Sequence, residues 1–293
     1  MNTVKSHKVG NAIVTRVTEM NLTEVPPTFL YPEWDARVTE ENASWLIPGN
    51  MSSNRQFLIQ SIHTWVVKTE RHTILIDTAS GNDKERPLNP LFHHLNNPYL
   101  ERLKAAGVQP EDVDFVFNTH LHVDHVGWNT IQKEGKWVPT FPNAKYVFSK
   151  KEFDFYADPD NVQAPSAGVF EDSVLPVVEA NQAIMIDADA KEFIDGFAFH
   201  LTPGHSFDHL SISLSSGADE ALFGGDVMHH PIQVVHPQWN SVFCEFQEKA
   251  RASRLWALDY VAERKATFFS SHFAETSAGL IVRHGERFEW QTR

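Results

Sequence analysis

The stretch Asn118-Thr119-His120-Leu121-His122-Val123-Asp124-His125 decides how the rest of this sequence is read. It follows the apolar run 113–117, which predicts a strand. In extended backbone, side chains two positions apart point the same way, so His120 and His122 can present imidazoles to one point. Asp124 and His125 sit where the chain turns and can serve a second point nearby. Neutral imidazole and ionised carboxylate suit zinc, and also manganese, iron or cobalt. Four such groups within six residues read as a metal site rather than as scattered structural histidines.

Three later runs repeat the pattern of an apolar strand ending in a ligand. Residues 197–201 lead to Thr202-Pro203-Gly204-His205, residues 221–223 to Gly224-Gly225-Asp226, and residues 267–269 to Ser270-Ser271-His272. Gly204 and Gly225 are expected to let the backbone approach a metal without a Cβ in the way. Seven ligands divide naturally between two divalent ions. His120, His122 and His205 would hold the first, Asp124, His125 and His272 the second, and Asp226 would bridge both through its two oxygens. Two divalent ions facing two aspartates keep a residual positive charge, which favours a bridging hydroxide at neutral pH.

Composition limits the alternatives. The chain has 293 residues, 42% hydrophobic and 22% charged, which is ordinary for a globular protein of one domain. Among 16 histidines stands a single cysteine, Cys244, so neither an internal disulfide nor a cysteine-based metal site can form. A formal charge of −13 disfavours nucleic acid and anionic membranes as partners. The first residues, MNTVKSHKVGNAIVTRV, lack an apolar signal core, which predicts a cytoplasmic protein.

Strands are expected at 12–17, 57–59, 64–69, 73–76, 113–117, 145–148, 197–201, 210–214, 221–223 and 267–269. Helices are expected at 99–106, stopped by Gly107, and at 245–264. Hairpin-like early strands followed by strands alternating with helices predict a mixed α/β sandwich. Residues 1–55, rich in proline and tryptophan, read as an irregular extension that packs on the domain or on the partner in a homodimer.

These motifs resemble the metallo-β-lactamase superfamily, whose signature His-x-His-x-Asp-His is met by His120, His122, Asp124 and His125. His205, Asp226 and His272 match its later motifs in order, so the likeness runs over about residues 55–275. The resemblance implies a four-layer αβ/βα sandwich with the dinuclear site at one edge of the sheets. Within the superfamily, His-Val-Asp-His-Val-Gly-Trp-Asn and the long N-terminal segment are most similar to the zinc lactonases that open acyl-homoserine lactones. Pyridoxolactonase-like and methyl-parathion-hydrolase-like enzymes share the likeness. Many acyl-homoserine lactonases carry a tyrosine three residues after the bridging aspartate, where this chain has His229.

The expected activity is metal-assisted hydrolysis of a small, neutral ester, a lactone first, with phosphotriester, aryl ester or thioester as alternatives. Asp124 and His229 are the catalytic candidates, the first taking up a proton and the second acting as acid or oxyanion donor. His209 is expected to orient its loop. Asp77 is expected either to support a metal-bound imidazole or to cap a loop. Trp128, Phe207, His230 and Trp239 could wall the pocket or fill the core, and His63, His72, His93 and His94 read as structural or surface residues.

Overall fold

The computed structural model describes residues 5–293; Met1 to Val4, the start of the expected extension, lie outside the described residues. The first sheet contains β1 (Ser6–Val9), β2 (Ala12–Val25), β3 (Leu58–Lys68), β4 (Thr73–Ile76) and β5 (Phe115–Phe117). After a small separate hairpin of β6 (Thr130–Lys133) and β7 (Lys136–Pro139), it is completed by β8 (Lys145–Ser149) and β9 (Ala183–Ile186). The second sheet runs in chain order through β10 (Glu192–Ile194), β11 (Phe197–Leu201), β12 (Leu210–Ser216), β13 (Asp219–Phe223), β14 (Thr267–Phe269), β15 (Ala278–His284) and β16 (Arg287–Thr292). The helices are α1 (Pro27–Leu30), α2 (Ala36–Leu46), α3 (Tyr99–Ala105), α4 (Lys150–Tyr156), α5 (Leu175–Glu179), α6 (Ile232–Val235) and α7 (Gln247–Arg264).

Period-two alternation explains the layering. On β4, Ile74 and Ile76 point into the space between the sheets while Leu75 points outward under α3. On β12, Leu210, Ile212 and Leu214 enter the same inter-sheet core. A third cluster packs α7, through Ala257, Leu258 and Val261, onto the outer face of the second sheet. The result is a layer of helices, two sheets and another layer of helices, an α/β sandwich.

Three of the four strands that lead into ligands end on a phenylalanine locked in that core, whereas β11 ends on Leu201. Phe117, Phe223 and Phe269 close β5, β13 and β14, each at most 1% exposed, and Phe223 stacks on Phe269 at 4.8 Å between ring centroids. Full burial of one such ring contributes roughly 2–3 kcal/mol. The chain leaves the sheet immediately afterwards, so the anchored rings fix where each ligand loop begins. Parallel pairing of β4 with β5 and of β13 with β14 carries these strand ends to the same edge.

Two expectations need correction. Residues 1–55 are not an irregular extension where they are described: β2 pairs along β3 as the longest strand of the first sheet, and α1 and α2 follow it. The segment packs on the chain itself, with Leu30, Tyr31, Val38 and Leu46 against Ile232 and Trp239. The separate runs 57–59 and 64–69 are one strand, β3. Its polar middle is buried because each polar group finds a partner: Gln60 donates to the His229 carbonyl at 2.8 Å, and Ser61 to that of Phe273 at 2.9 Å. Strands β15 and β16 and helix α4 carry no expectation above; β16 alternates exposed and buried with charged residues outward, too short a pattern to stand out.

Candidate metal centre

All seven predicted ligands meet at the edge where the two sheets abut. Ligand atoms of His120, His122 and His205 lie within 4.8 Å of one another, and so do those of Asp124, His125 and His272. Within the first group His205 Nε2 is 2.9 Å from His122 Nδ1 and 3.1 Å from His120 Nε2. Between the groups sits Asp226. Its Oδ2 is 3.2 Å from His205 Nε2, 3.3 Å from His125 Nε2 and 3.1 Å from His272 Nε2, and its Oδ1 also lies 3.1 Å from His272 Nε2. One oxygen therefore faces both groups, rather than one oxygen facing each.

The donor set fits cations. His205 Nε2 faces a nitrogen of each of the other two imidazoles at hydrogen-bond distance, and a cation among the three would take up their lone pairs. His125 Nε2 and Asp226 Oδ1 are buried and, although polar atoms stand within 3.3 Å of each, neither makes a hydrogen bond among the described residues; a coordinated ion would complete both. Burial pushes the His120 and His205 imidazoles well below the usual histidine range, so both stay neutral and able to ligate. Burial raises the Asp226 carboxyl, yet the surrounding His125, His272, His205 and His229 outweigh it and hold the group well below the usual carboxylate range.

The supports of these ligands come from neighbouring strands. Asp77, directly after β4, accepts from the Thr119 N–H at 2.8 Å and hydroxyl at 2.9 Å and lies 2.8 Å from His125 Nδ1. It both caps the loop and holds an imidazole, so the two expectations for it describe one residue. His272 Nδ1 donates to the Ser61 carbonyl at 3.1 Å. His209 accepts from the Asp226 N–H at 2.9 Å and lies 2.9 Å from the Thr202 hydroxyl, orienting the loop as expected. The glycines act differently from expectation. A Cβ on Gly204 would stand 2.0 Å from the Ala250 nitrogen and one on Gly225 2.5 Å from His209 Nε2, so each makes room for the protein, not for a metal.

His229 is buried against the centre, its Nε2 3.3 Å from Asp226 Oδ2, and neither ring nitrogen has a hydrogen-bond partner among the described residues. Its backbone N–H donates to Gln233, whose Oε1 also accepts from Tyr31 of the N-terminal segment at 2.9 Å. Of the proposed wall residues, Phe207 is half-buried and stacks on Phe155. Trp128, His230 and Trp239 are buried packing residues: Trp128 stacks on Tyr99, His230 donates to the Asn50 carbonyl, and Trp239 lies against Tyr31 and Trp34. Phe243, 45% exposed with its ring 5.7 Å from that of His229, borders the centre instead and had no motif to mark it. Glu245 and Tyr156, both touching His122, were likewise unmarked, because a strand-end pattern identifies ligands and not the groups behind them.

Residues 60–272 match the sequence profile of the metallo-beta-lactamase superfamily. The N-acyl homoserine lactonase AttM of Azorhizobium caulinodans is 34% identical over 61 residues, 21% of this chain and 20% of that one. The matches span from 20% to 63% of the length of the N-acyl homoserine lactonases compared. Among solved structures, the hydrolase AbOPH in the beta lactamase superfamily superposes with a TM-score of 0.82 at 23% identity, over 99% of this chain and 97% of that one. AidC, a dizinc quorum-quenching lactonase solved with the product N-hexanoyl-L-homoserine, superposes with a TM-score of 0.79 at 23% identity, over the same shares. At that identity the two structures speak for the fold alone.

Proposed function

Because the chain belongs to the metallo-beta-lactamase superfamily, we propose that it is a dinuclear metal-dependent hydrolase of small neutral esters, a lactonase first of all. The observation that carries this reading is Asp226 Oδ2, within 3.3 Å of ligand nitrogens from both clusters. His120, His122 and His205 would hold one divalent cation, zinc before manganese, iron or cobalt, and Asp124, His125 and His272 the other. When bound, such a pair polarises a carbonyl and lowers the pKa of water.

The protein's own groups supply the rest. A water molecule adds to the ester carbonyl carbon, Asp124 takes the proton it releases, and the same proton passes from Asp124 to the ring oxygen as its C–O bond breaks. Asp124 suits the task because its side chain is 18% exposed, the most open of the carboxylates and imidazoles of its cluster. His229, with both ring nitrogens unengaged, is placed to donate to the oxygen on which charge develops. The exposed Phe243 and half-buried Phe207 offer apolar surface to the substrate, as small-molecule sites do. A charge of −13 favours a neutral substrate over an anionic one and suits the cytoplasm as readily as any other aqueous compartment.

Elemental analysis followed by a panel of lactones, aryl esters, thioesters and phosphotriesters tests this. Two divalent cations per chain and fastest turnover of a lactone are expected. Fastest turnover of a phosphotriester would move the assignment to that class, and less than one cation with no hydrolysis after zinc or manganese is added would end it.

A further inference from the structure

The ring of His122 is gripped from the side facing away from the other imidazoles. Its Nδ1 faces His205 at 2.9 Å, whereas its Nε2 lies 3.1 Å from Glu245 Oε1 and 3.1 Å from the Tyr156 hydroxyl. Tyr156, at the end of α4, donates to the same Glu245 oxygen at 2.9 Å. The group is sheltered, with the Glu245 side chain 11% exposed. Its main chain is tied down as well: the Glu245 N–H donates to the His205 carbonyl at 3.1 Å, and the Phe246 N–H to that of Gly204 at 2.8 Å. Two consecutive residues ahead of α7 thus hold the turn bearing His205 by backbone and the ring of His122 by side chain.

A neutral imidazole carries its proton on one nitrogen, and a carboxylate at Nε2 selects that nitrogen, leaving the Nδ1 lone pair free. We propose that Glu245, steadied by Tyr156, is a positioning residue that fixes His122 in its Nε2-protonated tautomer and so sets the affinity of the cation shared with His120 and His205. This rests on the two-cation reading above. Glu245 would act through His122: among the described residues its carboxylate contacts His122 and Tyr156, with no hydrogen bond or ion pair to Asp124, His125 or His272.

The test is stepwise cation binding, with cobalt(II) or zinc(II) competed against a chromophoric chelator, in the whole wild-type chain and in Glu245→Ala, Glu245→Gln and Tyr156→Phe. Circular dichroism establishes folding. In Glu245→Ala one equivalent should bind roughly 10–100-fold more weakly, with the other unchanged to within about twofold. Glu245→Gln keeps an acceptor oxygen without the charge and should fall between, and Tyr156→Phe should weaken the same equivalent by less. The visible bands of the cobalt protein should change for that equivalent alone. Wild-type affinity for both equivalents in Glu245→Ala, or equal weakening of both, would overturn the proposal. Should Glu245→Ala not fold, Glu245→Gln decides by the same criterion. Fewer than two equivalents in the wild-type chain would instead overturn the two-cation reading itself.

Discussion

His229 and Asp77 show two ways in which a single side chain acquires a role. Asp77 is 2% exposed and meets three donors, two from Thr119 and one from His125, so its place is set by complete satisfaction of its oxygens. His229 is as deeply buried and has no partner for either ring nitrogen among the described residues, an arrangement that costs stability unless a ligand completes it. Burial also lowers its pKa, which keeps it neutral with one N–H to donate. Replacing His229 with Ala should therefore cut kcat on the preferred ester by roughly 10²–10³-fold with little change in KM. Steady-state kinetics on the metal-loaded protein measure this, and unchanged kcat would leave His229 a packing residue. Nothing in the local sequence distinguishes the two fates: Asp77 depends on partners 42 or more residues away, and His229 on how its ring is set against Asp226, Phe243 and His272.

At the scale of elements, the legible parts were those with a strong local pattern. The ligand-bearing strands β5, β11, β13 and β14 read clearly because each is a short apolar run ending in a polar turn. The long β2 was seen only in its first half, since 18–25 is half-exposed and polar and is held by pairing with β3. Helix α4 was missed for its length of seven residues, although Ser149 caps it by accepting from the Glu152 N–H. Glu152 itself is buried in the first turn, where it accepts from the Asp208 N–H. Burial raises its carboxyl to about 7 from the ordinary 4.5. The folded chain thus holds a proton there that the unfolded chain releases between these values, so stability from this group is full below 4.5 and falls as pH rises through about 7. Urea unfolding of the wild type and Glu152→Gln at pH 5 and 8 should show the wild type losing roughly 3 kcal/mol more than the variant over that span. Equal losses would contradict the assigned shift.

For the whole molecule, the site exists only because two sheets abut. The seven candidate ligands come from four loops between Asn118 and His272, and the inter-sheet core of Phe117, Phe223 and Phe269 brings those loops to one edge. Cations held there would bind the folded chain and not the unfolded one, and so would add stability by mass action. Removing them with a chelator should lower the midpoint of thermal unfolding by about 5 °C or more. Differential scanning calorimetry before and after chelation, with zinc added back, checks it; an unchanged midpoint would mean that no cation is bound at the working concentration. No helix among the described residues is long and apolar enough to cross a membrane.

The sequence by itself determined the superfamily, the sandwich and the seven side chains that gather at the edge, because strand-end ligands at fixed spacing are written locally in period-two apolar runs. Tertiary structure alone decided which oxygen of Asp226 lies between the clusters, that Gly204 makes room for α7, that α1 and α2 pack against Ile232 and Trp239, and that Glu245 and Tyr156 reach His122. Those outcomes rest on contacts between residues from 21 to more than 200 positions apart. Their energies depend on burial and mutual distance, and no local pattern encodes either.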